Sequence, residues 1–258
     1  NSPKTAKHPA NGVYNRSNTV WVGDLKYKDQ LTVDTDGDGI ADSGDGVIDD
    51  KDRTDIGSPL PKFTFGWNNT FRYKGFDLNI FLNGSYGNKV LNYSLMNGPS
   101  GGLASMRSAW VNQNASAIKD RAQLVPIDPD KVYESGSWFD DITNVKVENS
   151  GTKTPRPTLS DPNDNDRLST RYIEDGSYLR IKNITLGYTF PKKWMQKAHF
   201  DNIRVYCNIQ NLYTFTKYSG YDPEVGASTQ DSSGYAYGVD NGRYPSPTTY
   251  SFGVSLTF

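Results

Sequence analysis

The chain has a single cysteine, Cys207, so no internal disulfide can form. It contains no run of about 18 apolar residues, which excludes a transmembrane helix. Transmembrane strands stay open, because each needs only about 9–11 residues and every second one can be polar. Hydrophobic residues make up 35% of the 258, below the roughly 45–50% of an ordinary globular chain. Net charge is -1, and the basic residues form no stripe, so nothing points to nucleic acid. The two histidines, His8 and His199, lie in unlike contexts without a Cys or Ser motif beside them, and catalysis has little support. Glu174-Asp175 is a poor acid/base pair, since adjacent strand residues point to opposite faces. "GSYGNK" does not match a phosphate loop. The opening "NSPKTAKHPANGVYNRSNTV" has neither an initiating Met nor a signal-peptide core, which reads as a cleaved product or part of a longer chain.

Aromatics, by contrast, are abundant: 17 Tyr, 11 Phe and 5 Trp. A disordered chain would lack them. They recur with a period of two. In "TYSFGVSLTF", Tyr250, Phe252, Val254, Leu256 and Phe258 share one face, and the other face is small and polar. In "KFTFGWNNTFRYKG", Phe63, Phe65, Trp67, Phe71 and Tyr73 align, broken only by Asn69. Phe76, Leu78, Ile80, Leu82 and Tyr86 follow after Lys74-Gly75, a tight hairpin turn. In "YLRIKNITLGYTF" the phase slips at Lys182-Asn183, which predicts a bulge. In "IRVYCNIQNLYTF", Cys207 falls on the apolar face as a small hydrophobe.

Strands are thus expected near 19–33, 62–74, 75–87, 171–190, 203–218 and 247–258. The connections between them alternate between short and long, the long ones being 34–61, 88–170 and 219–246. An up-and-down outer-membrane barrel has this pattern, with short periplasmic turns and long extracellular loops. One face of each strand suits lipid and interfacial girdles, and the other suits a wet lumen. A soluble β-sandwich also alternates, so a secreted, calcium-stabilised sandwich that binds carbohydrate is the alternative. Small closed barrels start at about eight strands, so six strands are part of a larger, all-β antiparallel barrel.

"VGDLKYKD", "GDGVIDDKDRTDIGSPLPKFTFGWNNTFRYKGFDLNIFLNGSYGNKVLN", "TRYIEDGSYLRIKNITLGYTFP", "IRVYCNIQNLYTFTKYSGYDPEV" and "SFGVSLTF" carry a resemblance to a known family. Over about residues 20–258 the chain resembles the C-terminal part of the SusC/RagA family of TonB-dependent outer-membrane transporters. The resemblance implies a barrel of about 22 strands with a plug in the lumen, a SusD-like lipoprotein lid, and energy from the TonB complex. It implies active import of oligosaccharides or peptides, without enzymatic activity, in the outer membrane of a Gram-negative cell. Plug, TonB box and most barrel strands lie outside this chain. The terminal Phe258 is similar to the C-terminal aromatic that barrel-assembly machinery recognises.

The densest charge lies in "DTDGDGIADSGD". With Asp34 at position 1 of a calcium loop, Asp36, Asp38, Ile40 (through its carbonyl), Asp42 and Asp45 fall at positions 3, 5, 7, 9 and 12, and Gly39 at the turning position 6. Asp45 replaces the usual bidentate Glu. An all-oxygen ligand set suits Ca2+ as a structural clasp. A second acidic set, Asp45, Asp49, Asp50 and Asp52, is suited either to share ligands with the first or to hold a second ion. The plainer reading is a solvated Asp/Gly turn. Trp110, Trp138, Tyr235 and Tyr237 are candidates for substrate or lid contact, because aromatic faces suit both. Packing of each loop onto itself is the plainer reading for any single one of them. "ASMRSAWVNQNASAI" reads as a short helix.

Overall fold

The computed structural model describes residues 20–97, 115–134, 136–158, 161, 163–195, 200–225, 227–228 and 236–258. In chain order its strands are β1 (Phe63–Tyr73), β2 (Phe76–Tyr86), β3 (Lys89–Asn92), β4 (Leu124–Pro126), β5 (Val145–Val147), β6 (Ile173–Asp175), β7 (Tyr178–Thr189), β8 (Asn202–Thr216), β9 (Ala227–Ser228), β10 (Ala236–Tyr237), β11 (Val239–Asp240) and β12 (Thr249–Thr257). The helices α1 (Tyr93–Asn97), α2 (Ala115–Lys119) and α3 (Lys192–Met195) are short. No described helix is long and apolar enough to cross a membrane, which leaves strands unaffected. The chain divides into two units, 1–56 with 93–169 and 57–92 with 170–258.

The second unit is built on an antiparallel sheet in the order β1-β2-β7-β8-β12. Each main strand pairs with the next main strand along the chain, the order of an up-and-down barrel wall. The β1–β2 hairpin closes on Lys74 (φ 47°) and Gly75 (φ 90°). Two positive φ values give the type I′ geometry whose twist matches the strands. The register shifts at Lys182, which β2 leaves unpaired between Ile181 and Asn183. On β8, Asn211 takes φ 51°, and Tyr213 pairs with Ile181 while Gln210 pairs with Asn183. These two bulges keep the apolar residues of both strands in phase despite the extra residues.

The register aligns the apolar face into rows. Tyr73, Phe76, Tyr188, Val205 and Val254 form one, and Phe71, Leu78, Leu186, Cys207 and Phe252 the next. Asn69 is the one polar residue in the middle row, beside Ile80, Ile184, Ile209 and Tyr250. This face is uncovered within the unit: Trp67 is 59% and Phe252 81% exposed. A sandwich would bury it against a second sheet, so that alternative is set aside. Five strands are too few to close a barrel, and the sheet is part of one.

Beyond the main sheet, β11 pairs parallel with β3 and β6 pairs antiparallel with it, forming a small sheet of three. The strand expected over 171–190 is divided there. A 3-10 turn (Thr170–Tyr172) and β6 precede the break at Gly176-Ser177, and β7 starts at Tyr178. β9 and β10 form a separate pair.

The first unit has little regular structure. The β4–β5 pair and buried Trp21, Ala122 and Val145 make its apolar centre. The strand expected near 19–33 is not formed. In 20–33 the only pairing is an isolated bridge from Val33 to Ser43. The cause is satisfaction of backbone groups by side chains. Trp21 N–H donates to Asp24 (2.8 Å), Leu25 N–H donates to the Asn165 side chain (2.8 Å), and the Asn163 amide donates to the Leu25 carbonyl (2.9 Å). Groups bonded to side chains have no ladder to offer. Of the helix expected over 104–118, the described part is α2.

Candidate functional site

The acidic segment in the first unit folds as a hairpin loop. Val33 and Ser43 close it through Val33 N–H to the Ser43 carbonyl (2.9 Å) and Ser43 N–H to the Val33 carbonyl (3.0 Å). Gly37 (φ 81°) and Gly39 (φ 87°) supply the left-handed conformations of the turn. Asp34 accepts from Gly37 N–H (2.6 Å) and Gly39 N–H (2.8 Å). Those amides, Gly39 first, hold its carboxyl below the usual carboxylate range.

Carboxylate oxygens of Asp34, Asp36 and Asp38 lie within 4.8 Å of one another. The other two expected carboxylate ligands are engaged elsewhere. Asp42 accepts from Thr35 N–H (3.1 Å) and Thr35 Oγ1 (2.6 Å). Asp45 accepts from Val47 N–H (2.9 Å) and the Lys51 ammonium (3.3 Å). Ile40 donates its N–H to Asp38 (2.8 Å), and its side chain is exposed. Three carboxylates without a nitrogen or sulfur ligand fit a hard divalent cation. Asp49, Asp50 and Asp52 form a separate 3-10 turn whose capping box joins Asp49 and Asp52.

In the second unit, the polar side of the main sheet is a wall of small neutral groups. The Asn79 amide donates to Asn68 Oδ1 (2.8 Å) and Thr70 Oγ1 (2.9 Å), and Thr185 donates to Asn208 (2.9 Å). Charged residues lie at its two ends. At the end bearing the short turns, the Arg204 guanidinium holds Asp77 through Nε (2.9 Å) and Nη2 (2.6 Å). At the end bearing the long loops, Arg180 is 2% exposed. It donates to Thr214 (2.8 Å), Glu224 (2.6 Å) and Asp222 (2.5 Å).

That cluster ties the 217–248 connection to the sheet, and two further carboxylates reinforce it. Asp222 also accepts from Glu224 N–H (2.9 Å) and Ser246 N–H (3.2 Å). Burial pushes Asp222 up, but these amides and Arg180 outweigh it and hold the carboxyl below its usual range. Tyr218 donates to Asp240 (2.5 Å), and its hydroxyl is pushed up by burial and by that bond. Glu174 accepts from Asn92 (2.9 Å) and from Ser219 Oγ (2.7 Å) and N–H (2.8 Å). Asp175 instead accepts from Ser177 (2.6 Å). The adjacent acids therefore serve different partners.

Among the aromatic candidates, Trp138 is half-buried and packs edge-to-face on Phe139 at 5.5 Å. Tyr237 is exposed, as are Tyr221 and Tyr244 on the pinned connection. Trp110 and Tyr235 lie outside the described residues. Phe258 is exposed after the end of β12, its ring 6.4 Å from Phe200.

Sequence patterning alone did not mark Arg180, Asp222, Glu224, Tyr218 and Asp240, or the Asp77–Arg204 pair. The available signal was a charge at a polar-face position of a strand, as at Asp77, Arg180 and Arg204. In the first unit, the buried Asp24–Arg156 pair (2.8 Å) was likewise unmarked.

No family model matches the chain. It is 33% identical over 231 residues to TonB-dependent receptor P3 of Formosa agariphila, covering 87% of this chain and 19% of the relative. It is 27% identical over 233 residues to TonB-dependent receptor SusC of Bacteroides thetaiotaomicron, covering 89% and 18%. The RagAB peptide transporter structure has a similar fold, with a TM-score of 0.51 and 21% identity over 78% of this chain and 18% of that one. The chain thus spans about a fifth of the length of the curated relatives it matches.

Proposed function

The chain belongs to the SusC/RagA family of TonB-dependent receptors, and on that premise we propose that the whole protein actively imports a nutrient across the outer membrane of a Gram-negative cell. The observation that carries this reading is the two-faced main sheet, aromatic and uncovered on one side and polar on the other. Such a wall is stable only with lipid on its apolar side and water or protein on its polar side. The role is transport rather than enzymatic.

The reading includes a SusD-like lipoprotein partner, coupling to TonB through a plug, and an oligosaccharide or peptide as substrate. The relatives' names support TonB coupling and the SusC type. The neutral Asn/Thr wall supports an uncharged polar substrate, which favours oligosaccharides over charged peptides. The exposed Tyr221, Tyr237 and Tyr244 suit contact with a lid or with sugar rings. The test is uptake of labelled oligosaccharides and peptides by cells with the full-length gene, without it, and without TonB. Uptake that survives both deletions would falsify the import reading.

We further propose that residues 34–45 hold a structural Ca2+. The support is the gathered Asp34, Asp36 and Asp38 oxygens. Calcium titration calorimetry on the intact receptor should give a binding heat that Asp36→Asn with Asp38→Asn removes. Phe258 is proposed as the barrel-assembly signal. Its deletion should lower the amount of receptor in the outer membrane while leaving synthesis unchanged.

A further inference from the structure

The polar face of the main sheet ends, near the β1–β2 turn, in two guanidiniums and one carboxylate. Asp77 is committed to Arg204 through both of its oxygens. Gly187 makes that reach possible, because a Cβ there would come within 2.4 Å of Arg204 Nη2 and 2.5 Å of Asp77 Oδ1. Arg204 also lies 5.2 Å over the Tyr206 ring, so its position is fixed from two sides.

Arg72 pairs in register with Asp77 across β1–β2. Its charge acts on Asp77 through space, but among the described residues no hydrogen bond or ion pair of its guanidinium is found. The Lys74 ammonium is turned instead over the Tyr73 ring, at 5.2 Å. With Arg72, Lys74 and Arg204 facing Asp77 alone, the cavity carries two positive charges in excess, and of the two groups left over, the Arg72 guanidinium has the fork that favours a carboxylate.

A cavity of about 520 Å³ lies beside it, lined by Arg72, Asp77, Thr189 and Arg204 among others. These four residues belong to β1, β2, β7 and β8. An occupant that touches all of them lies on the sheet face and not beside the free edge of β1. In a closed barrel that face looks into the lumen, and large outer-membrane transporter barrels have a plugged lumen. About four-fifths of the relatives' length lies outside this chain, which leaves ample polypeptide to supply the plug.

We propose that Arg72 anchors an Asp or Glu of the plug segment of the same polypeptide, with the Asp77–Arg204 pair holding the site open beside it. This rests on the barrel reading under Proposed function. Removing the contact loosens the plug at the turn end of the barrel.

The test uses the full-length receptor in outer membranes, with Arg72 replaced by photoreactive benzoylphenylalanine and the crosslinked peptides sequenced. The expected product joins position 72 to an acidic peptide of the same polypeptide that is not a barrel strand. In planar bilayers, Arg72→Glu should open channels about tenfold more often, as loss of a charge-assisted pair predicts. Changing the crosslinked acid to Lys should restore the closed state. Arg72→Gln, which keeps a polar side chain, serves if the reversal prevents assembly, and should raise openings in the same direction.

Crosslinks to phospholipid, to added oligosaccharide or peptide, or to a neighbouring strand overturn the proposal, as do unchanged openings. Crosslink and conductance are both read without transport. A receptor that imports none of the tested nutrients can therefore still pass, and an importer can still fail.

Discussion

The acidic hairpin at 34–45 and the pinned connection at 217–248 both depend on carboxylates, but in opposite ways. In the hairpin, Asp34 and Asp38 bind backbone amides two to five residues away, and all of them are exposed. In the pinned connection, Asp222 and Asp240 are buried. Their side-chain partners, Arg180 and Tyr218, are 42 and 22 residues away. Exposed local bonds set the shape of a loop and contribute little to its stability. Buried long-range bonds are costly to break, because one charged partner is left without compensation.

Arg180→Met tests this contrast most strongly. It leaves buried Asp222 with the Glu224 and Ser246 amides but no charged partner, and should cost about 3–5 kcal/mol, the usual penalty for breaking a buried pair from one side. The checks are the melting temperature of the full-length receptor and new tryptic cleavage at Lys217 and Arg243. A receptor that melts and cleaves like wild type would show that Arg180 is dispensable. Tyr218→Phe should cost less, about 1–3 kcal/mol, since it removes one neutral hydroxyl donor and not a charge, and Asp240 keeps the Gly242 and Arg243 amides.

Acid provides a graded version of the same experiment. The carboxyl of Asp222 is held below its usual value, so its stabilisation is fully present above the unfolded pKa of about 3.9. It is lost as pH falls below that value and through the folded one. Tryptic release, assayed after brief acid exposure and return to neutral pH, should begin only below about pH 4 in the wild type. If the connection loosens between pH 5 and 7, a group other than Asp222 holds it.

The smallest expected effect is in the hairpin. Asp36→Asn with Asp38→Asn should change stability in chelator by less than about 0.5 kcal/mol, as for exposed sites generally. In millimolar Ca2+ the wild-type hairpin should gain protection from a protease that cleaves at aspartate, and the double variant should not. Equal protection of both would rule out calcium binding by these side chains.

The two regions also differ in how far the sequence revealed them. The alternating faces of β1, β2 and β12, the Lys74-Gly75 turn and the Lys182 bulge could be read directly, because each depends on residues a few positions apart. The acidic hairpin was legible for the same reason, since Asp and Gly set their own turn geometry. The alternation near 19–33 predicts a strand that the structure does not form. The backbone of this segment is bonded instead by Asn163 and Asn165, about 140 residues further along. For Trp138 the tertiary structure adds an edge-to-face contact with its neighbour Phe139 and leaves the ring half-exposed.

The sequence by itself determined the strand faces, the turns, the excess of aromatics for a lipid-facing wall and the place where carboxylates crowd together. Only the tertiary structure decided which strands are neighbours, which charges are buried, and which carboxylates of the acidic run come within 4.8 Å of one another. The physical reason is range. Side-chain alternation and turn conformation are properties of consecutive residues. The pairing of Arg180 with Asp222, or of Arg204 with Asp77 across Gly187, exists only after the sheet register has brought distant positions together.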